Sequence, residues 1–181
     1  MTLHSDARAT LAGWTPPTAR DASLRDRFMA HLDAHSDGMT RACLPDHLTA
    51  GTIVLAPEAD AVLLNHHAKA GVWLAFGGHC EPGDTTLAGV ALREAHEESG
   101  VTDLDFDPVP LNRDENSLAG CAHGTTVPHL DVRVVATARR AAGHQAREAS
   151  RAVRGWPVAA LPPLSDDLLR LIEAAVERVR G

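Results

Sequence analysis

Residues 77–101 read GGHCEPGDTTLAGVALREAHEESGV, a loop punctuated by glycine and proline that runs into the stretch REAHEESG at 93–100. The spacing predicts a helix from about Leu87 to Ser99, closed by Gly100 in the left-handed conformation that glycine adopts freely. Glu94, Glu97 and Glu98 then fall within about 100° of helix arc. Like charges at these spacings cost roughly 0.2–0.5 kcal/mol per pair. Two explanations compete for that cost: a solvated helix face, or a site that takes a cation. Arg93, four residues before Glu97, is set to pair with it and hold its carboxylate in one orientation. Carboxylates converging beside one arginine suit Mg2+ or Mn2+, hard cations that take oxygen ligands and share them with substrate phosphates. Leu92, Ala95, Ser99 and Ala88 are expected to face the core, while Leu87 and Val90 project toward the carboxylates. The loop GGHCEPGD favours a site, because its glycines stand where backbone must approach something closely.

Outward from this stretch, GVWLAF (71–76) reads as a short strand ending at Gly77–Gly78. LTAGTIVLAPEADAVLLNHH (48–67) reads as two strands around a PEAD turn. HLDVRVVATA (129–138) alternates at its start, with His129, Asp131 and Arg133 on one face and Leu130, Val132 and Val134 on the other. Asp107 to Gly124 carries Pro, Asn and Gly throughout and is expected to be mostly loop. SLRDRFMAHLDAH (23–35) has Leu24, Phe28 and Leu32 on one face behind Ser23 as N-cap, and the segment before about residue 20 reads as an irregular arm. SDDLLRLIEAAVERVR (165–180) reads as an amphipathic helix capped by Ser165. The order predicts an α/β (α+β) architecture, with helices flanking a mixed central sheet.

The stretch 77–101 resembles the Nudix box, G-x5-E-x7-R-E-U-x-E-E-x-G-U with U aliphatic. Gly78 matches the first glycine, and Arg93, Glu94, Glu97, Glu98, Gly100 and Val101 match the second half without a gap. Asp84 stands at the place of the first glutamate, eight residues separate it from Arg93, and Ala95 is a small occupant of an aliphatic position. Whether the Asp84 carboxylate reaches Arg93 is left open by the residues alone. The resemblance implies an α/β/α sandwich and metal-dependent hydrolysis of a nucleoside diphosphate linked to another group, or of a nucleoside triphosphate. By position it implies Glu94 and Glu98 as main ligands of Mg2+ or Mn2+, with Glu97 and the Gly78 carbonyl as further ligands. Arg93 and Glu97 belong to the orienting network. Glu98, Glu148 and Asp131 are the candidates for general base. Gly77, Gly78, His79, Trp73 and His129 are the substrate-binding candidates. The domain is expected to span 46–181, behind an arm and helix at 1–45.

Two rival readings are an isopentenyl diphosphate isomerase-like enzyme, whose box lacks the complete R-E-x-x-E-E set found here, and a catalytically silent nucleotide-binding module of the same fold. Composition narrows the partners. A net charge of -7 disfavours nonspecific nucleic acid and anionic membrane, both of which reward an excess of Lys and Arg. No 18-residue apolar run occurs, and the first residues hold no apolar signal region, so a cytoplasmic protein is expected. Cys43, Cys80 and Cys121 form no C-x-x-C pair and no zinc or disulfide framework. With 3% aromatics and no tyrosine, base stacking would draw on residues such as Trp14, Trp73, Trp156, Phe28, Phe76 and Phe106. Among 11 histidines, His66, His67 and His79 invite a metal reading, but lone histidines near strands are more often hydrogen-bonded or solvent-facing; only His79 lies in the loop that would meet phosphate. The partner expected is a small nucleotide or diphosphate, with no nucleic acid and no membrane; a homodimer is left open.

Overall fold

The computed structural model describes residues 1–67, 71–119, 126–139 and 150–181, with backbone alone along 112–119, 126–128 and 150–151. The N-terminal segment is a helix and not an arm: α1 spans Leu3–Gly13. Thr2 and Ser5 cap it reciprocally, the Ser5 N–H donating to Thr2 Oγ1 at 3.2 Å and the Thr2 N–H to Ser5 Oγ at 2.9 Å. Pro16 and Pro17, which made this region look irregular, fall after the helix has ended. Helix α2, Ala19–Ala34, begins earlier than expected, because Thr18 and not Ser23 is its N-cap. The Thr18 hydroxyl takes the Asp21 N–H at 3.1 Å, while Ser23 spends its hydroxyl on the Ala19 carbonyl at 3.1 Å.

The sheet is mixed. Strands β1 (His47–Leu55) and β2 (Ala61–His67) form the expected hairpin, with Ala59 in the turn at φ +53°. After β3 (Trp73–Leu74), β4 (Phe76–His79) runs through the two glycines that were expected to end the strand. It continues because β4 pairs antiparallel with β1, Gly77 opposite Gly51 and Gly78 opposite Ala50. Helix α3 spans Leu87–Ser99. The region expected as loop is instead most of β5, Leu104–Ala119, paired antiparallel with β6, Thr126–Ala138. Pro108 and Pro110 are tolerated because the ladder shifts register between Asp107 and Asn112, where no ladder donor is required. Strand β7 (Ser150–Pro157), absent from the sequence reading, pairs with β2. A 3-10 turn at Val158–Ala160 leads to α4, Asp166–Arg180, capped by Ser165 as expected.

The strand order is β3-β2-β1-β6-β5, with β4 also on β1 and β7 also on β2. β1 and β6 run parallel at the centre, from His47 opposite His129 to Leu55 opposite Thr137. Pleat alternation sends Leu48, Ala50, Leu130, Val132 and Val134 to one face, packed with Ala7 and Leu11 of α1, Phe28 and Leu32 of α2, and Leu87, Val90 and Ala91 of α3. Ile53, Leu55, Val62, Leu64, Leu111 and Val135 pack instead with Leu168, Leu171, Ile172, Ala175 and Val176 of α4. The expected sandwich, helices on both faces of a mixed sheet, is what forms. Among the described residues no helix is long and apolar enough to cross a membrane.

Close backbone approach decides one position. A methyl group on Gly51 would lie 2.3 Å from Arg133 Nη1 and 2.4 Å from the Phe76 carbonyl oxygen. Arg133 crosses that space to donate to the Phe76 carbonyl at 2.9 Å. Gly51→Ala is therefore expected to lower stability by about 1–3 kcal/mol, read as a fall in the urea midpoint at unchanged slope.

Candidate active site

Helix α3 is held from both ends and from the side. Its N-cap Thr86 accepts the Gly89 N–H at 3.0 Å, and Asp6 of α1 accepts the Leu87 N–H at 2.7 Å. Gly100 ends it at φ +71°, the left-handed cap expected of that glycine. The Thr52 hydroxyl of β1 donates to the Ala91 carbonyl at 2.9 Å, pinning the helix to the sheet. The buried stripe is Leu87, Val90, Ala91, Ala95 and Ser99, whereas Ala88 and Leu92 are half-buried. This corrects the expected partition. Leu87 and Val90 face the core, so Glu94 and Glu98 lie beside the apolar stripe and are half-buried, while Glu97 is exposed.

Arg93 organises the site. Its Nε and Nη2 donate to the two Asp84 carboxylate oxygens at 3.3 and 3.0 Å, and Nη2 also donates to the His79 carbonyl at 3.0 Å. Its Nη1 donates to Glu94 at 2.8 Å and Glu97 at 3.4 Å, with Glu81 at 4.0 Å. Asp84 thus does reach Arg93 across the longer spacing, helped by the Glu81 N–H that it accepts at 2.8 Å. Glu98 turns the other way and accepts the Gly77 N–H of β4 at 3.1 Å. The oxygens of Glu94, Glu97 and Glu98 do not meet as a trio within 4.8 Å: Glu94 and Glu97 share Arg93 Nη1, while Glu98 is held apart by the Gly77 N–H.

Burial raises the Glu94 pKa to about 7, against the pull of Arg93 and reinforced by the charges of Glu98 and Glu97. Burial also raises Glu98, opposed by the Gly77 N–H and Asn65. For Asp84 burial is outweighed by the Arg93 and Glu81 hydrogen bonds, which hold it below the usual carboxylate range. Gly78 supplies the shape. A methyl group there would stand 2.7 Å from the Glu94 carboxylate, so only glycine lets that carboxylate lie against the β4 backbone. The site therefore brings one guanidinium against Asp84, Glu94, Glu97 and Glu81, leaving an excess of negative charge beside open backbone. An all-oxygen donor set with that charge excess fits a hard divalent cation.

Of the remaining sequence candidates, those within the described residues lie on the strands. Asp131 is buried, accepts the Thr49 hydroxyl at 3.1 Å and pairs with Arg133. Glu148 lies outside the described residues, as do Cys121 and Lys69. Trp73 meets Trp156 edge-on, with centroids 5.4 Å apart, and meets His66 edge-on at 5.0 Å. Arg154 sits 4.0 Å over the Trp156 ring. His79 and His129 come together, Nε2 to Nε2 at 3.2 Å, with His47 against both. Burial first, then Arg41 and the two neighbouring rings, pushes His79 down to about 3. His47 lowers likewise, from burial and His129. The sequence reading missed His47. The available signal was parity, since a parallel β1–β6 pair places His47 and His129 on the same face.

A family model described as NUDIX domain matches residues 45–166. Among solved structures, a hydrolase of the NUDIX family from Clostridium perfringens aligns at TM-score 0.61 and 19% identity, over 74% of this chain and 97% of that one. An Ap4A hydrolase from C. elegans aligns at TM-score 0.56 and 17% identity, over 74% and 97% of the two chains. The NUDIX domain of Shewanella oneidensis NrtR, solved with ADP ribose, aligns at TM-score 0.55 and 25% identity, over 73% and 87%. Among curated proteins none matches significantly.

Proposed function

The chain belongs to the NUDIX domain family, and from that premise we propose that it hydrolyses a diphosphate linkage in a nucleoside diphosphate joined to another group, or in a nucleoside triphosphate. The observation that carries this reading is the Arg93 network: Asp84, Glu94 and Glu97 on one guanidinium, with Glu94 laid against Gly78. Glu94 and Glu98, with Glu97 and the Gly78 carbonyl, would hold Mg2+ or Mn2+. Bound there, the ion would neutralise charge developing on phosphoryl oxygens and lower the pKa of a coordinated water.

The protein's own groups do the rest. Arg93 keeps Glu94 oriented and ties α3 to the loop through the His79 carbonyl. Glu98, fixed by the Gly77 N–H and with its proton affinity raised by burial, is the proposed general base. Asp131, engaged by Thr49 and Arg133, is the weaker candidate. Substrate contacts are proposed from the backbone of Gly77 and Gly78, from His79 and His129, and from the Trp73 ring. Residues 46–181 are proposed as the catalytic domain, with α1 and α2 as an N-terminal element packed on its core. The NrtR domain was solved with ADP ribose, a nucleoside diphosphate joined to another group, and that compound heads the substrate classes to try.

A panel of nucleoside triphosphates, nucleotide sugars and ADP-ribose, read for phosphate, pyrophosphate and nucleoside monophosphate, tests the proposal. Mg2+-dependent release from one class supports it. Allylic isomerisation of isopentenyl diphosphate, or nucleotide binding without turnover at millimolar Mg2+, contradicts it. Millimolar Mg2+ is also expected to raise the melting temperature of the wild type by binding the folded state alone. A flat melting temperature over that range counts against the carboxylate site.

A further inference from the structure

We propose that His47, His79 and His129 form a second metal site, distinct from the carboxylates and suited to a divalent ion of the zinc class. Strand pairing assembles it. His47 stands opposite His129 in the parallel β1–β6 ladder, and His79 stands opposite Thr49, one pleat further along the same face. The three rings form a near-equilateral triangle, with centroids 5.0, 4.9 and 5.0 Å apart. One nitrogen from each lies within 4.8 Å of the other two, and the closest pair, His79 Nε2 and His129 Nε2, is 3.2 Å apart. A tetrahedral ion with Zn–N bonds of about 2.0–2.1 Å places its ligand nitrogens roughly 3.3 Å apart. The closest pair already stands at that spacing.

His47 adds an independent observation. It is 1% exposed, and neither ring nitrogen has a hydrogen-bond partner among the described residues. The Cys43 carbonyl acts on the ring without meeting hydrogen-bond geometry. Leaving a buried polar group unpaired is unfavourable, and a cation facing the lone pair removes the part of that penalty borne by the acceptor nitrogen. Imidazole nitrogen suits zinc, copper, iron and nickel, whereas the α3 carboxylates suit magnesium and manganese. The two sites would therefore select different ions. Three protein nitrogens leave a fourth position open, as in zinc sites that keep a water. None of this depends on the hydrolase reading, because metal retention is measured without turnover.

The test uses the full chain, stripped with a chelator and then loaded with Zn2+ or Co2+ alone in millimolar Mg2+. Wild type is expected to retain one equivalent of Zn2+ through gel filtration. Co2+ is expected to give the visible absorption of a nitrogen-ligated ion and to shift three histidine ring signals in NMR. His79→Asn and His129→Gln, checked for folding by circular dichroism, should weaken Zn2+ binding on the order of 100-fold, while Glu94→Gln keeps the full equivalent. The wild-type measurements decide even if a histidine variant fails to fold. No retained equivalent, no shifted histidine signals, retention unchanged in both folded histidine variants, or loss confined to Glu94→Gln would each overturn the proposal.

Discussion

Glu98→Gln is expected to keep the fold and lower kcat by about 10²–10⁴-fold, the range that a positioned general base supplies. The amide is nearly isosteric, and its oxygen can still accept the Gly77 N–H that the carboxylate accepts at 3.1 Å. Replacing a charge whose burial disfavours ionisation removes a desolvation cost, so the melting temperature should hold or rise slightly. The neutral amide takes up no proton and offers a poorer oxygen to a hard cation. KM should change far less than kcat, the pattern of a group that acts mainly in the transition state. Steady-state kinetics on the best substrate of the panel, beside a thermal melt, measure both. Turnover at the wild-type rate would remove Glu98 from the chemistry.

Arg93→Met should have the largest effect on stability. Asp84, Glu94 and Glu97 lose their shared counter-charge, and the His79 carbonyl loses its donor. Truncating one partner of a fully buried pair costs about 3–5 kcal/mol. The Arg93 side chain is 21% exposed, so water screens part of that and about 2–3 kcal/mol is expected. Turnover should fall as well, by about 100-fold, since Glu94 is no longer oriented. Arg93→Lys should recover part of the stability and little of the rate, because an ammonium cannot span acceptors arranged for a fork. The pH dependence has a definite sign. Asp84 titrates below its usual 3.8 when folded, so its contribution is present above that value and lost as pH falls through the lowered one. Wild type and Arg93→Met should therefore converge in stability in acid, and urea titrations at neutral and low pH show whether they do.

What was legible in the sequence was local. The box, the α3 helix with its Gly100 cap and the β1–β2 hairpin each write their signal within about a dozen to two dozen neighbouring residues. The regions that were misread depend on distant partners or on features that composition hides. α1 looked irregular because Pro16 and Pro17 weighed on the whole segment, although they follow a helix capped by Thr2 and Ser5. β5 looked like loop because its prolines and asparagines were read alone, while its pairing with β6 is long-range. The reach of Asp84 to Arg93 depends on a turn and a rotamer that spacing does not specify. The histidine triangle required the parallel β1–β6 register, which joins residues 82 positions apart in the case of His47 and His129. Long-range pairing of this kind leaves no short motif to read.

The most direct measurement of the central claim is hydrolysis of the best panel substrate in ¹⁸O-labelled water, with Mg2+ and with a chelator, the products read by mass spectrometry. The account predicts one labelled oxygen on a phosphoryl product, turnover that disappears with the chelator, and near-complete loss in Glu98→Gln. Unlabelled phosphoryl products, chelator-insensitive turnover, or no hydrolysis of any panel member at millimolar Mg2+ would contradict it.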